Sequence, residues 1–317
     1  SMDGSQKTRA WHLLMSLALV SVLALLLTPI QSKAQSDTHL NPVIAALEAG
    51  EVVYGLSTQD LSLSYAREVA RAPVDFLYVD MEHSPIDFPA LRIFLLAMGD
   101  KRRVLEKQSV QPDVTLFARF APGPLDSEWV VKQALDLGLY GVIFNGVDTP
   151  DEAAFAVSTM RYPQLRNSMH PEPNGIRGVS PANAAWAWGV NTGEYMQRAD
   201  LWPLNPDGDL LAVMMIESVE SLQNVEAIAA TPGVGALFPG AGGDLSRSLG
   251  ITQGTNELEE AFQQILAACL SHDVACAITA NAGEDVARRV REGWRIIRTT
   301  VEGASVGRNL LQANGAN

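Results

Sequence analysis

Asp80, Glu82 and His83 lie at the end of the strand-like run DFLYVD and just beyond it. A histidine beside carboxylates can serve as a general base, because the neighbouring negative charge raises its basicity and orients its ring. A network of salt bridges at the protein surface would account for the same three residues without any chemistry. A position at the mouth of a pocket would favour the general base.

Arg119 stands inside the apolar run TLFARF. Burying a guanidinium without an anion is costly, so this side chain needs a negatively charged partner. The partner could be internal, in which case Glu82 and Glu217 are the candidates. Alternatively, Arg119 clamps a substrate carboxylate or stabilises a developing oxyanion. The sequence leaves both interpretations open.

Glu217 ends the apolar run LLAVMMIE, and Asp244 follows the glycine-rich loop of residues 239–243. Two carboxylates from neighbouring strand ends can hold a hard divalent cation, with water and substrate at its remaining positions. The glycines would let backbone N–H groups approach an anion closely. Each of these features taken alone is also compatible with an ordinary turn.

Eight short apolar runs alternate with eight helix-like segments from Val52 to the C-terminus. The predicted strands are residues 52–57, 75–80, 115–120, 140–145, 210–217, 234–239, 274–279 and 295–300. Runs that are apolar throughout are typical of parallel strands buried on both faces. A doubly wound sheet is the alternative, but eight such units favour an α/β fold of the closed (β/α)8 TIM-barrel type. We expect it to form a single domain over residues 35–317, with the candidate residues at one rim.

One segment interrupts this alternation. Residues 163–209 are rich in proline, glycine and tryptophan, and long insertions of this kind are usually functional.

Residues 101–103 form the most basic cluster of the chain, which we expect on a solvated loop. The formal net charge of the chain is -13. Because binding to nucleic acid needs clustered positive charge, we expect no nucleic-acid partner.

Residues 1–34 have the pattern of a secretory signal peptide. Lys7 and Arg9 precede an apolar run from residue 13 to 27, and small residues at 32–34 offer a cleavage site after Ala34. We therefore expect a periplasmic or secreted protein without stable membrane association after cleavage. The alternative is an uncleaved membrane anchor, since the run is nearly long enough to span a bilayer. Cleavage would lower the net charge from -13 to -15, because one acidic and three basic residues are lost.

Cys269 and Cys276 are the two cysteines of the chain. An exported protein could join them in a disulfide. However, Cys269 falls at the end of a predicted helix and Cys276 in a predicted buried strand, so we expect two buried thiols. The spacing that cysteines show in metal sites is absent.

Several segments together resemble the HpcH/HpaI aldolases, which are metal-dependent class II enzymes related to 2-keto-3-deoxy-sugar-acid aldolases. The segments lie between about Gly55 and Gly250 and are DFLYVDMEHSPID, ARF, KQALDLG, RYP, NGIRGV, MIES and GGDLSRSLG. The resemblance implies a TIM barrel that assembles as a homo-oligomer, from dimer to hexamer. It also implies a carbon–carbon lyase that cleaves or forms 4-hydroxy-2-keto acids. The products of cleavage would be pyruvate and an aldehyde, by way of a metal-stabilised enolate.

The resemblance further implies a divalent cation (Mg, Mn or Co) held by Glu217 and Asp244. Backbone amides of Gly243 and Asp244 would contact the carboxylate of the keto acid. His83 and Asp80 would form a catalytic dyad supported by Glu82. Arg119 would bind the substrate and balance the charge of the developing oxyanion.

Some positions depart from the family pattern. The loop FPGAGGD is one residue longer than usual, Met215 stands where a glutamine is common, and Asn145 stands where a proline is frequent. These differences border the expected mouth, so a different reaction remains an alternative. One version is an exported barrel that uses the same metal site on an extracellular carbohydrate or phenolic compound. Another is a keto-acid binding protein without catalytic activity.

Overall fold

The computed structural model describes residues 39–121 and 123–313, and the predicted leader lies outside these residues. The strands in this part are β1 (Val53–Thr58), β2 (Phe76–Met81), β3 (Thr115–Phe120), β4 (Gly141–Phe144), β5 (Leu201–Trp202), β6 (Leu210–Met215), β7 (Ala236–Phe238), β8 (Ala275–Thr279) and β9 (Ile296–Arg298). Neighbouring strands pair in parallel. Because β1 pairs with β9 and β4 pairs with β6, eight strands close into a barrel, and β5 pairs only with the start of β6. The predicted (β/α)8 TIM barrel is confirmed.

Helices follow the strands and cover the outside of the barrel. In chain order they are α1 (Pro42–Glu48), α2 (Leu63–Val69), α3 (Phe88–Met98), α4 (Lys101–Lys107), α5 (Glu128–Leu137), α6 (Pro150–Met160), α7 (Ala182–Trp188), α8 (Thr192–Arg198), α9 (Val219–Gln223), α10 (Val225–Ala229), α11 (Gly243–Leu249), α12 (Asn256–Ser271), α13 (Gly283–Glu292) and α14 (Val301–Ala313). Within residues 39–121 and 123–313, no helix is both long enough and apolar enough to cross a membrane.

Local sequence explains where several helices begin and end. Thr149 caps α6 by accepting the N–H of Glu152, and the Glu152 side chain accepts the N–H of Thr149 in return. Pro150 follows at the first helical position, where its missing N–H costs nothing. Gly138 ends α5 with a φ of 107°, a left-handed conformation that side chains rarely adopt.

Side chains at every second position of a strand point into the barrel and fill its interior. On β2, Phe76 and Tyr78 point inward and meet Phe117 of β3 and Phe238 of β7 in the interior. These rings make the middle of the barrel a packed core. Asp80 is the next inward position on β2 towards the carboxyl end. The first polar layer above the aromatic core is therefore at the rim that was expected to carry the chemistry.

Two local expectations were wrong, and one helix was not predicted. Residues 101–103 lie in helix α4, because Asp100 caps its first turn and Arg103 finds an acidic partner in Asp113 at 3.1 Å. For residues 218–230 the sequence predicts a single helix after the fifth strand-like run, but the segment is divided into α9 and α10 at Asn224. Asp244 lies in the first turn of α11, a helix that the glycine-rich sequence did not predict.

A buried arginine fastens the insertion of residues 163–209 to the barrel. The Arg161 side chain is fully buried and meets both carboxylate oxygens of Asp200, at 2.6 Å from Nε and 3.0 Å from Nη2. It also donates to the carbonyls of Pro173 and His170. The segment that interrupts the sequence pattern is thus an ordered layer, which contains α7, α8 and β5.

Cys269 and Cys276 form a disulfide, so the prediction of two buried thiols was wrong. Helix α12 ends at Ser271 and β8 begins at Ala275. The tight reversal between them places the two Cα atoms 5.8 Å apart, within the usual range for a disulfide. Assigning the two cysteines to a helix and a strand could not reveal that their Cα atoms lie so close together.

His39 is buried against Asp209. Its Nδ1 lies 3.2 Å from Asp209 Oδ1, and its Nε2 lies 3.4 Å from Glu48 Oε2. Burial lowers the pKa of His39, but the two carboxylates outweigh this effect and hold it above its ordinary value. Asn41 adds a hydrogen bond from its amide to the Asp209 carbonyl. The chain is therefore attached to the barrel from residue 39 onwards.

Candidate active site

Asp80 and Arg119 face each other across the paired ends of β2 and β3. Arg119 donates to both carboxylate oxygens, from Nε at 3.1 Å and from Nη2 at 2.8 Å. Both residues are largely buried at the barrel mouth. The two-pronged contact fixes the plane of the guanidinium as well as its position.

Glu82 forms an ion pair with the same guanidinium. Its Oε2 lies 2.7 Å from Arg119 Nη1, and its Oε1 accepts a hydrogen bond from the Asn145 side chain at 2.8 Å. Arg119 also stands over the ring of Tyr78, 5.9 Å from its centroid. The internal ion pair with Glu82, one of the two interpretations of Arg119, is therefore present, and Asp80 is a second partner that the sequence did not suggest.

These contacts decide the charge of the pair. Burial alone would raise the pKa of Asp80, but the hydrogen bonds and positive charge of Arg119 outweigh it and hold that pKa below its ordinary value. Burial likewise acts to lower the pKa of Arg119, while Asp80 and its neighbours raise it further. Both groups are charged at neutral pH.

The expected dyad between the His83 ring and the Asp80 carboxylate is not formed in this structure. Asp80 Oδ1 instead accepts the backbone N–H of His83 at 3.4 Å, and Arg119 occupies the carboxylate. The His83 ring lies 3.5 Å from Glu82 Oε2, and 56% of its side chain is exposed. The stronger attraction of Asp80 to Arg119 explains this difference. His83 stands at the solvent side of the mouth.

Glu217 follows β6 and points towards the other carboxylates. Its Oε1 accepts the backbone N–H of Gly146 at 3.1 Å. Burial raises the pKa of Glu217 to about 7, and the negative charges of Glu82 and Asp244 add to this effect. The hydrogen bond from the Gly146 N–H and the positive charge of Arg119 lower the pKa of Glu217, but by less than burial and the two carboxylates raise it. The ionised form of Glu217 therefore lacks a sufficient positive partner within the described residues.

Asp244 lies in the first turn of α11, and its side chain is exposed at the mouth. The preceding Gly242 has a φ of 75°, so the turn into the helix needs a residue without a Cβ. The first N–H groups of a helix have no partner within it, which is compatible with the expected contact of Gly243 and Asp244 with a carboxylate. That contact stays a prediction.

The donor set suits a hard divalent cation. The negative charge of Asp244 contributes to the raised pKa of Glu217, and a cation bound between the two carboxylates would remove this repulsion. No cluster of three or more acidic, histidine or cysteine side chains with metal-binding geometry occurs in residues 39–121 and 123–313. Such a cation would thus take its other ligands from water and substrate.

Asn145 belongs to the site, although the sequence singled it out only as a departure from the family pattern. It follows β4 and donates to Glu82 Oε1 and to the Ala121 carbonyl. Its own side-chain oxygen is buried without a hydrogen-bond partner among the described residues. Its position at a barrel strand end was the signal that could have identified it.

Comparison with known proteins identifies the family of this chain. The family model "HpcH/HpaI aldolase/citrate lyase" matches residues 61–308. A hydroxypyruvate/pyruvate aldolase of Paraburkholderia phytofirmans is 31% identical over 263 residues, covering 82% of this chain and 91% of its own. A 5-keto-4-deoxy-D-glucarate aldolase of Salmonella paratyphi C is 30% identical over 255 residues, which are 80% of this chain and 87% of the relative.

A solved structure of the same family is also similar to this chain. An HpcH/HpaI aldolase/citrate lyase family protein from Burkholderia cenocepacia J2315 superposes with a TM-score of 0.67 and 29% identity. The match covers 87% of this chain and 99% of that one. The chain therefore belongs to the HpcH/HpaI aldolase/citrate lyase family and is a carbon–carbon lyase of the aldolase type.

Proposed function

We propose that the protein is a divalent-metal-dependent aldolase that uses pyruvate, cleaving or forming 4-hydroxy-2-oxo acids. The observation that carries this proposal is the electrostatic interaction between the carboxylates of Glu217 and Asp244, near the preorganised guanidinium of Arg119 at the carboxyl end of the barrel. The aldolase names of the two relatives support the choice of keto acids as substrates.

In the synthetic direction, a proton leaves the methyl group of pyruvate and the resulting enolate attacks the aldehyde carbon. The new alkoxide then takes a proton, which gives the 4-hydroxy-2-oxo acid, and cleavage is the reverse. A divalent cation held by Glu217 and Asp244 would supply Lewis-acid stabilisation of the keto acid. Mg, Mn and Co are the ions to test.

The protein's own residues position the reacting charge. Arg119 directs a fixed positive charge into the mouth, and it is held there by Asp80 and Glu82 before any substrate arrives. Such preorganised charge stabilises an oxyanion without the cost of reorientation. His83, at the solvent side, is placed to move protons between the site and water.

We expect the Glu217→Gln variant to lose at least 99% of metal-dependent exchange of the pyruvate methyl protons for deuterium. The amide keeps the shape but removes a charge from the cation site. Proton NMR in deuterium oxide follows the exchange, with Mg, Mn or Co and with a chelated sample for comparison.

Glu220→Gln is the matched control, because Glu220 is an exposed acid on α9 only three residues away. It should exchange at the wild-type rate. Wild-type exchange that persists after chelation, or an active Glu217→Gln variant, would contradict the proposed metal site. No exchange by wild-type protein that binds metal would favour a different reaction or a binding function.

We also propose export to the periplasm or outside the cell. The n-region, apolar run and small residues of 1–34 support it, and the Cys269–Cys276 disulfide is chemically suited to an oxidising compartment. Residues 1–40 fused to alkaline phosphatase, which is active only after export, should give an active enzyme. A fusion that starts at residue 35 is the control and should stay inactive, and equal activity of the two would refute the proposal.

We further propose a homo-oligomer, from dimer to hexamer. Large apolar side chains are exposed along the insertion, and Met169 and Trp186 are 87% and 79% exposed. Exposed apolar groups in one segment are typical of a surface that is covered by another subunit. Light scattering coupled to size-exclusion chromatography measures the mass directly, and a monomer at micromolar concentration would refute this assembly.

A further inference from the structure

Arg298 ends β9, and its side chain turns into the barrel mouth. Its Nε and Nη2 donate to Ser57 Oγ at 3.1 and 2.7 Å, and its Nη1 donates to Asn281 Oδ1 at 3.4 Å. Together with Tyr78 and Phe238 it lines the barrel interior. The side chain is therefore held at the strand end by neutral groups alone.

Arg298 has no carboxylate within ion-pair distance among residues 39–121 and 123–313, whereas Arg119 has two such partners. The guanidinium of Arg298 therefore brings a half-buried positive charge to the mouth. The hydroxyl of Ser57 and the amide of Asn281 use only part of its five N–H donors. The structure thus contains an oriented cation that can accept an anion.

The barrel order gives the direction from the cation site to Arg298. Glu217 and Asp244 follow β6 and β7, whereas Arg298 pairs with Gly55 of β1 and Thr279 of β8. Arg298 on β9 therefore lies on another side of the same mouth, two strands from the end of β7 and three from the end of β6. A substrate whose keto-acid end is fixed at Glu217 and Asp244 has its other end free to reach this side.

We propose that Arg298 binds a carboxylate carried by the aldehyde partner and so selects anionic acceptors. The inference rests on the proposed aldolase function and adds the residue that binds the end of the aldehyde substrate remote from the new bond. A carboxylate matches the planar fork of a single guanidinium.

The test uses pyruvate with ω-oxo acids of two to five carbons, each compared with its neutral amide. The wild-type enzyme should prefer at least one acid over its amide. In Arg298→Gln, kcat/KM for that acid should fall about tenfold or more, the usual effect of a lost charge-assisted hydrogen bond. The amide should change less than twofold, and Arg298→Lys should keep part of the preference for the acid.

Two controls separate this role from others. Arg295→Gln removes an exposed arginine at the opposite end of the same strand and should leave the acid-to-amide ratio unchanged. Pyruvate methyl exchange in Arg298→Gln should keep the wild-type KM and rate. A raised KM there would show that Arg298 serves pyruvate itself, and equal losses for acid and amide would show a structural role. Either result overturns the proposal.

Failure of the aldolase function would look different. In that case the wild-type protein shows no pyruvate exchange with any metal, and the assignment of an acceptor to Arg298 falls with it. Wild-type exchange together with no preference for any acid over its amide would leave the aldolase intact and refute only the role of Arg298.

Discussion

Arg119→Met is expected to lower kcat/KM for the aldol reaction by about a thousandfold. Loss of a preorganised donor to a developing oxyanion costs about two to three orders of magnitude, and the variant also leaves Asp80 and Glu82 without their shared cation. Steady-state kinetics with pyruvate and an aldehyde, at saturating metal, measures the change. Arg119→Lys keeps the charge but not the fork, so it should retain more activity than methionine.

The accompanying controls distinguish chemistry from folding. Arg92→Met removes an exposed arginine from α3 and should behave as wild type. Circular dichroism of Arg119→Lys shows whether the barrel is intact, which protects the test if the methionine variant fails to fold. A folded Arg119→Met variant with more than a tenth of wild-type kcat/KM would remove Arg119 from the proposed mechanism.

The second large effect concerns stability. Arg161→Met should lower the free energy of unfolding by about 3 to 5 kcal/mol, the cost of leaving one partner of a buried ion pair alone. Asp200 would remain buried without its guanidinium, and the carbonyls of Pro173 and His170 would lose their donor. Urea denaturation followed by tryptophan fluorescence gives the value.

Arg166→Met is the matched control, since Arg166 is exposed on the same insertion. It should change stability by less than about 0.5 kcal/mol. A loss in Arg161→Met no larger than in Arg166→Met would mean that the insertion is held by other contacts. Activity measured well below the unfolding transition then shows whether the insertion also supports the site.

The barrel was predictable because its evidence is repeated along the chain. Each apolar run is short and lacks alternation, as expected of strands covered on both faces, and the period recurs eight times. The strand ends then predict which side chains share a rim. Asp80, Arg119 and Glu217 were identified on this basis, and the structure brings them to the same mouth.

The pairing within that rim was less predictable, because it depends on distances that the sequence does not contain. The pattern suggested His83 as the partner of Asp80, yet Arg119 lies directly opposite on the neighbouring strand and takes both carboxylate oxygens. The sequence did not identify Arg298 as a candidate for a related reason. A single arginine at a strand end becomes significant only when its neighbours prove to be neutral.

The disulfide and the insertion show the same limit over longer distances. Cys269 and Cys276 were assigned to the correct elements, but the approach of their Cα atoms depends on a turn with no distinctive residues. Arg161 belongs to a segment that marked the family resemblance, and its structural role became visible only with Asp200 in place, 39 residues further on.

The opposed positions of Asp80 and Arg119 on β2 and β3 also link assembly to activity. Because side chains alternate along a strand, a shift of one residue between β2 and β3 would turn Arg119 towards the outer helices and leave Asp80 facing an apolar neighbour. A misregistered barrel would therefore bury an uncompensated charge and lack its oxyanion donor at once. Specific activity thus measures the fraction of molecules whose strands have closed in the correct alignment.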